Sequence, residues 1–160
     1  MAARIRKLEK KIRQLGKEVS REKAYASALR GINKAFESVA HYCHLVRASE
    51  TSTIHRTRVA FKRFRYMIEA MFALLPGVTE EHRRAMHGYQ SMMGDIQDVE
   101  VLLAALDEVR RTNSARGKSL GPLREELMRR RRWLIEVYLN ASGKLRQFWP
   151  PRDLHRRRAA

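Results

Sequence analysis

Apolar residues recur every three or four positions along most of this chain, which is the spacing of one face of an α-helix. A first helix is predicted at about residues 3–19, and a second at about 22–48 that could simply continue it. The first carries a short heptad stripe, formed by Ile5, Leu8, Ile12, Leu15 and Val19. No segment alternates with a period of two, so no β-sheet is expected. The predicted fold class is all-α.

Turn and capping residues divide the rest of the chain into three more helices, predicted at about residues 53–75, 79–110 and 122–148. The turn Ser49–Ser52 offers capping hydroxyls, and Pro76-Gly77 ends the helix that follows it. Thr79 is a further N-terminal cap, and Pro122 suits the first turn of the last helix. Four helices joined by short connections are typical of a helix bundle.

The domain organisation predicted from this pattern has three parts. A basic N-terminal helix occupies residues 1–21, a four-helix unit residues 22–149, and a basic tail residues 150–160. Two heptads are marginal as an isolated helix, so the N-terminal helix is expected to pack on its own bundle or on a second subunit. Lying on an anionic membrane is the alternative for this basic, amphipathic segment.

The net charge of the chain limits the classes of partner that it is expected to bind. Its 160 residues include 34 Lys and Arg against 17 Asp and Glu, which gives a formal net charge of +17. A surplus of this size repels itself and is typical of a protein that binds an anion. Nucleic acid, an anionic membrane and polyphosphate all fit this charge. Cys43 is the only cysteine, and no signal peptide or transmembrane segment is evident, so a cytoplasmic location is expected.

One helix concentrates the basic residues on one side. At roughly 100° per residue, an arc of about 100° contains His55, Arg58, Lys62, Arg65 and Tyr66. The opposite side is apolar and is predicted to face the core; it contains Phe61, Phe64, Ile68, Met71, Leu74 and Leu75. No acid occurs between His55 and Glu69, although opposite charges one turn apart would stabilise such a helix.

Like charges in a row are tolerable if an anion lies over them. Arginine binds two phosphate oxygens with its planar fork, lysine contributes a mobile charge, and histidine gains charge as the pH falls. Cations about 5–6 Å apart along a helix suit a linear polyanion. The candidate binding residues are His55, Arg56, Arg58, Lys62, Arg63, Arg65 and Tyr66. The alternative is a solvated face that acids from a neighbouring helix balance.

A glycine and two acids in the next helix are candidates for such a neighbour. Gly94 inside a helix costs about 1 kcal/mol relative to alanine, which suggests the close approach of another helix. Asp95 and Asp98 could then orient one or two of the arginines. A catalytic carboxylate pair is the other interpretation, but no nucleophile or metal motif accompanies it. The chain is therefore expected not to be an enzyme and to need no cofactor.

Together these two segments resemble the CHAD family, the conserved-histidine α-helical domains. The first family motif is matched by His55, Arg58, Val59, Lys62, Arg63, Arg65, Tyr66 and Glu69. The second is matched by Gln90, Gly94 and Asp98, with Tyr89 and Met93 where the family has leucines. The resemblance covers about residues 25–148. It implies a helical bundle with a basic surface that binds inorganic polyphosphate. With this ligand, the expected cytoplasmic location extends to polyphosphate granules.

A typical CHAD domain contains two such four-helix units, each with its own histidine motif, whereas this chain has one. It resembles half a domain, so a homodimer that rebuilds the two-unit arrangement is predicted. A nucleic-acid-binding protein is the alternative function, and charge is what favours it. Two other clusters each have two interpretations. His41, Cys43 and His44 are either packing residues or metal ligands. The arginine run Arg129–Arg132 is either a solvated face or part of the ligand-binding surface.

Overall fold

A computed structural model describes residues 21–112 and 119–151. Within these ranges the chain forms helices and no strand, so the all-α prediction is confirmed. The four α-helices are α1 (Arg21–His44), α2 (Thr51–Ala70), α3 (Glu80–Thr112) and α4 (Gly121–Ala141). Short 3₁₀ helices follow α2 at Phe72–Leu74 and α4 at Ser142–Gln147. The predicted N-terminal helix at 3–19 and most of the predicted basic tail lie outside the described residues.

The helix ends test the capping predictions. Thr79 caps α3 as predicted, because its Oγ1 accepts a hydrogen bond from the His82 backbone N–H at 3.1 Å. The hydroxyl cap predicted for α2 is wrong: Glu50 occupies the N-cap position and makes no capping hydrogen bond with its side chain. The Thr53 hydroxyl instead donates to the Glu50 carbonyl at 2.6 Å and accepts from the Arg47 N–H at 3.0 Å. The side chain of Thr53, in the first turn of α2, therefore stabilises the loop that precedes the helix.

The chain divides into two units between Lys34 and Ala35, and each is described by itself. The second unit contains the core around the candidate site. Helix α3 packs against both α2 and α4. The largest buried side chains of these three helices are Ile54, Phe61, Phe64, Ile68, Met86, Tyr89, Met93, Ile96, Leu134, Ile135 and Tyr138. Burial raises the pKa of the Tyr89 and Tyr138 phenols, so both stay protonated and neutral.

The apolar side of α2 was predicted correctly in its helical part, and beyond the helix Leu75 is buried as predicted but Leu74 is not. Phe61, Phe64 and Ile68 are fully buried. Leu74, also predicted to face the core, is 59% exposed. The reason is that α2 ends at Ala70 and the backbone tightens into a 3₁₀ turn, so the angular spacing of an α-helix no longer applies.

Candidate anion-binding site

The core-facing side of α2 determines which basic residues reach solvent. Thr57, Phe61 and Phe64 are buried, so the residues on the opposite side of the helix point away from the bundle. Of the seven predicted site residues, five are exposed, namely His55, Arg56, Lys62, Arg63 and Tyr66. Arg58 is partly buried, and the Arg65 side chain is only 11% exposed. The predicted site therefore contains cations that are exposed to solvent and cations that the protein largely covers.

Arg65 is committed to contacts within the protein. Its Nε donates to the Gln90 side-chain oxygen of α3 at 3.0 Å, and its Nη1 donates to Glu69 at 2.9 Å. The guanidinium carbon also lies 4.9 Å from the centre of the Tyr66 ring, which is cation–π geometry. This arginine therefore links α2 to α3, and most of its side chain is shielded from solvent.

Arg58 lies over the glycine of α3. A Cβ built on Gly94 would be 3.7 Å from the Arg58 Nε, which is ordinary van der Waals contact, so the guanidinium lies directly over this residue. The predicted close approach at Gly94 is thus made by an arginine side chain of α2. The Arg58 Nε is buried and makes no hydrogen bond with any described residue. Its donor capacity is not used inside the described protein.

The predicted orienting acids are placed differently from the expectation. Asp95 and Asp98 are exposed, and neither forms an ion pair within residues 21–112 and 119–151. Arg65 is oriented instead by Glu69 and Gln90. Among the described residues, no acid of α3 pairs with a cation of α2: the acid that pairs with Arg65 is Glu69 of α2 itself, and its partner on α3 is the neutral amide of Gln90.

The remaining cations of α2 have few partners. His55, Lys62 and Arg63 form no ion pair with the described residues, whereas Lys62 Nζ lies 5.6 Å from the centre of the Tyr66 ring. Arg56 pairs with Glu50 at 3.4 Å, but both side chains are about half exposed, and such surface pairs stabilise little. We call His55, Arg58, Lys62 and Arg63 the cationic face of α2.

Two basic residues of α3 extend the candidate surface and were not predicted. His87 is exposed and lies seven residues before Gly94, which places it on the same side of α3 within about 20°. Arg84, also exposed, lies one turn before His87. Neither forms an ion pair among the described residues. The seven-residue spacing from Gly94 is the sequence signal that could have identified His87.

The family comparison covers the part of the chain that contains this surface. The chain matches the family model of the CHAD domain over residues 1–107, about two-thirds of its length. It belongs to the CHAD domain family. The match includes the cationic face, Gln90 and Gly94, and ends before α4, whereas the resemblance noted from the motifs covered about residues 25–148. No curated protein and no solved structure matches the chain.

The arginine run of α4 lies outside the CHAD match, and two of its four arginines pair with acids. Arg129 pairs with Glu126, and Arg131 pairs with Glu100 of α3. The Arg130 guanidinium carbon lies 4.4 Å from the centre of the half-exposed Trp133 ring. The interpretation of Arg129–Arg132 as a solvated, internally balanced run therefore fits better than a contribution to the ligand site.

A metal centre and a membrane-spanning helix are two further classes of site. Among the described residues, no group of three or more His, Cys, Asp or Glu side chains is arranged to hold a metal ion, and Cys43 is a half-buried free thiol. None of the helices in residues 21–112 and 119–151 combines the length and the apolar character needed to cross a membrane.

Proposed function

We propose that this CHAD-family chain binds inorganic polyphosphate on the cationic face of α2. The observation that carries the proposal is the lack of acidic partners: Arg58, Lys62 and Arg63 form no ion pair among the described residues. Their mutual repulsion is a cost that a bound polyanion would remove. Membership of the CHAD family supports the same ligand.

The chemistry of these groups suits a chain of phosphates. Arg58 and Lys62 lie one helical turn apart, about 6 Å along the axis, so they can contact successive groups of an extended polyanion. The Arg58 fork can take two phosphate oxygens, while Lys62 adapts to the next group as a point charge. The Arg65–Gln90 hydrogen bond holds the face in a fixed orientation, which lowers the entropic cost of binding.

We propose binding without catalysis. The acid on α2, Glu69, is held by Arg65 at 2.9 Å, so it is poorly available as a general base. Asp95 and Asp98 are exposed carboxylates without a histidine or arginine partner in the described residues. A polyphosphate incubated with the protein is expected to keep its chain length.

Nucleic acid is the competing polyanion, and it differs from polyphosphate in having bases that stack on aromatic rings. The exposed aromatic residue at the cationic face is Tyr66, whose ring already lies beside Arg65 and Lys62. Stacking of bases on Tyr66 would require these contacts to be displaced. These contacts of Tyr66 therefore support polyphosphate, which has no bases, as the ligand.

Competition between the two polyanions tests the proposal. Labelled single-stranded DNA and labelled polyphosphate of matched charge are each bound to the full chain and displaced by the other. We expect polyphosphate to displace DNA at far fewer charge equivalents than the reverse experiment requires. Equal displacement in both directions would mean that the protein responds to charge alone, and the nucleic-acid alternative would then stand.

We also propose that the working unit is a homodimer. The chain carries one histidine motif, and two copies would double the number of cations available to one polyphosphate molecule. Two chains of +17 repel each other, most strongly at low salt. A polyphosphate that bridges two cationic faces should therefore tighten the dimer by mass action.

A further inference from the structure

Helix α3 changes the sign of its charge along its length. Residues 82–94 contain two arginines, two histidines and no acid, whereas residues 95–109 contain five acids and no Lys, Arg or His. The change falls at Gly94, and the Arg58 guanidinium of α2 lies directly over this residue. The cationic face of α2 therefore adjoins a basic segment of α3 on one side of Arg58 and an acidic segment on the other.

Two of the four basic residues in the first segment are used inside the protein. Arg83 pairs with Glu80 at 2.7 Å, and His82 Nε2 lies at hydrogen-bond distance, 3.1 Å, from a backbone carbonyl oxygen. Arg84 and His87 are exposed, and neither forms an ion pair among the described residues. These are the two basic side chains of the segment that a ligand in solvent can reach.

Both of these side chains lie alongside the C-terminal half of α2. The contacts between the two helices join Arg58 to Gly94 and Arg65 to Gln90, so α2 runs antiparallel to α3 and its later residues lie beside earlier residues of α3. The same register places the last turn of α2 beside about residues 84–87. Cations of α3 therefore flank the end of the helix that carries the cationic face.

Among the described residues, no unpaired acid lies between these cations and the cationic face of α2. Glu69, the acid of α2 at this end, accepts a hydrogen bond from Arg65 at 2.9 Å. The exposed Glu81 lies one turn before Arg84, beyond the level at which α2 ends. A polyanion on the cationic face can therefore continue to His87 and Arg84 without meeting an unpaired negative charge on the way.

The opposite direction is closed by acids. Asp95 and Asp98 are exposed, and neither forms an ion pair within residues 21–112 and 119–151. Asp98 lies one turn after Gly94 and within about 40° of it around α3, so it is on the side of the helix that borders the Arg58 guanidinium. Four residues span about 6 Å of helix, which is less than the screening length of about 8 Å at physiological salt. Asp98 therefore repels a phosphate that extends past Arg58 in this direction.

We propose that polyphosphate bound to this chain follows one path, from Arg58 and Lys62 of α2 to His87 and Arg84 of α3, and that Asp98 prevents its extension in the opposite direction. This path rests on the proposed function, and it adds two ligand-binding residues and a direction to it. Its consequence is a dependence on chain length. The cations of α2 hold a triphosphate, whereas a long chain also contacts α3 and gains affinity because one molecule then makes two linked groups of contacts.

Isothermal titration of the full chain with long-chain polyphosphate and with triphosphate tests the path. Arg84→Ala should weaken long-chain binding at least about fivefold, and adding His87→Ala should bring the loss to at least about tenfold, because charge-assisted contacts with phosphate are lost. Triphosphate binding should weaken less than about twofold. The matched control is Arg110→Ala, which removes the same charge from an exposed arginine of the same helix without an ion pair among the described residues; both affinities should stay within about twofold.

Asp98 provides a test of opposite sign. Asp98→Asn should strengthen long-chain binding about two- to threefold, because the repulsion of the ligand is removed. Glu125→Gln is its control: it removes the same charge from an exposed acid of α4 that forms no ion pair among the described residues, and it should leave the affinity unchanged. An Asp98→Asn variant that binds no better than its control would overturn the direction of the path.

Equal losses for Arg84→Ala and Arg110→Ala, or equal losses for triphosphate and long chains, would overturn the path itself. These results are distinguishable from a failure of the proposed function. A wild-type chain that binds neither ligand would overturn both, whereas tight wild-type binding that Arg84→Ala leaves unchanged would overturn the path alone. Circular dichroism checks that every variant is folded.

Discussion

Helices α2 and α4 carry the same number of Lys and Arg residues, five each, but these cations have different surroundings. On α4, Arg124, Arg129 and Arg131 are paired with acids of α3 or of α4 itself, whereas Arg130 and Arg132 form no ion pair among the described residues. On α2, acid pairs hold Arg56 weakly and Arg65 firmly, while Arg58, Lys62 and Arg63 have none among the described residues. Charge density alone would rank the two helices equally. The position of the unpaired cations separates the two helices: Arg58, Lys62 and Arg63 lie within about 140° of one another around α2, whereas Arg130 and Arg132 lie on nearly opposite sides of α4.

The dependence of binding on salt should show this difference most strongly. If about four cations of the wild-type chain neutralise phosphates, the counterion-release slope for single strands is about −2.8, so a tenfold rise in salt lowers affinity about 600-fold. Isothermal titration at several salt concentrations measures the slope. Removing Lys62 should reduce its magnitude by about 0.7, whereas removing Arg129 should leave it unchanged. A slope near zero for the wild-type chain would remove the electrostatic mechanism for both helices.

Two double variants that remove the same charge, one from α2 and one from α4, test the difference between the two helices directly. Arg58→Ala with Lys62→Ala should lower the affinity for polyphosphate about 100-fold, because two charge-assisted contacts are lost. Arg129→Ala with Arg132→Ala removes the same charge from α4 and should cost less than about threefold. Fluorescence anisotropy with labelled polyphosphate measures both. Equal losses would mean that net charge, and not the cationic face of α2, determines binding.

The two kinds of cation on α2 itself should differ in their contribution to stability. Arg65→Met breaks a largely buried pair and leaves Glu69 and Gln90 unsatisfied, which should lower the free energy of unfolding by about 2 kcal/mol. Lys62→Met, on the exposed face, should change it by less than about 0.5 kcal/mol. Urea denaturation followed by circular dichroism compares them. If both variants are equally stable, Arg65 does not position α2.

Two glycines of α3 give the smallest and most local test. Gly88→Ala and Gly94→Ala should each raise the free energy of unfolding by up to about 1 kcal/mol through helix propensity. A Cβ at Gly88 meets no atom within 4 Å, whereas at Gly94 it contacts the Arg58 guanidinium at 3.7 Å. Because 3.7 Å is ordinary van der Waals contact, neither variant should displace Arg58, and both should keep polyphosphate binding within about twofold of the wild-type value. A larger loss of binding with Gly94→Ala alone would show that Arg58 needs the space over Gly94 to reach the ligand.

Sequence periodicity was sufficient to place Phe61, Phe64 and Ile68 in the core, because their burial depends only on the repeat of one helix. It failed at Leu74, because the position at which α2 ends is set by local backbone geometry rather than by the pattern. The hydrogen bonds of Arg65 could not be predicted from the sequence either, because its partner Gln90 is 25 residues away and belongs to another helix. The cationic series itself could be read from the sequence. Which of its members remain available could not, because that depends on tertiary contacts.

The placement of the two tryptophans has a practical consequence for optical measurements. Trp149 is buried, with its ring centre 6.2 Å from that of Phe64 on the core side of α2, whereas Trp133 is half exposed on α4 beside Arg130. Trp149 should therefore emit at shorter wavelength, and its emission should shift to the red when the core around α2 opens. Trp133 should be the ring that acrylamide quenches in the folded protein. With Trp133→Phe, the emission of the remaining indole reports unfolding with little contribution from the solvent-facing side of the bundle.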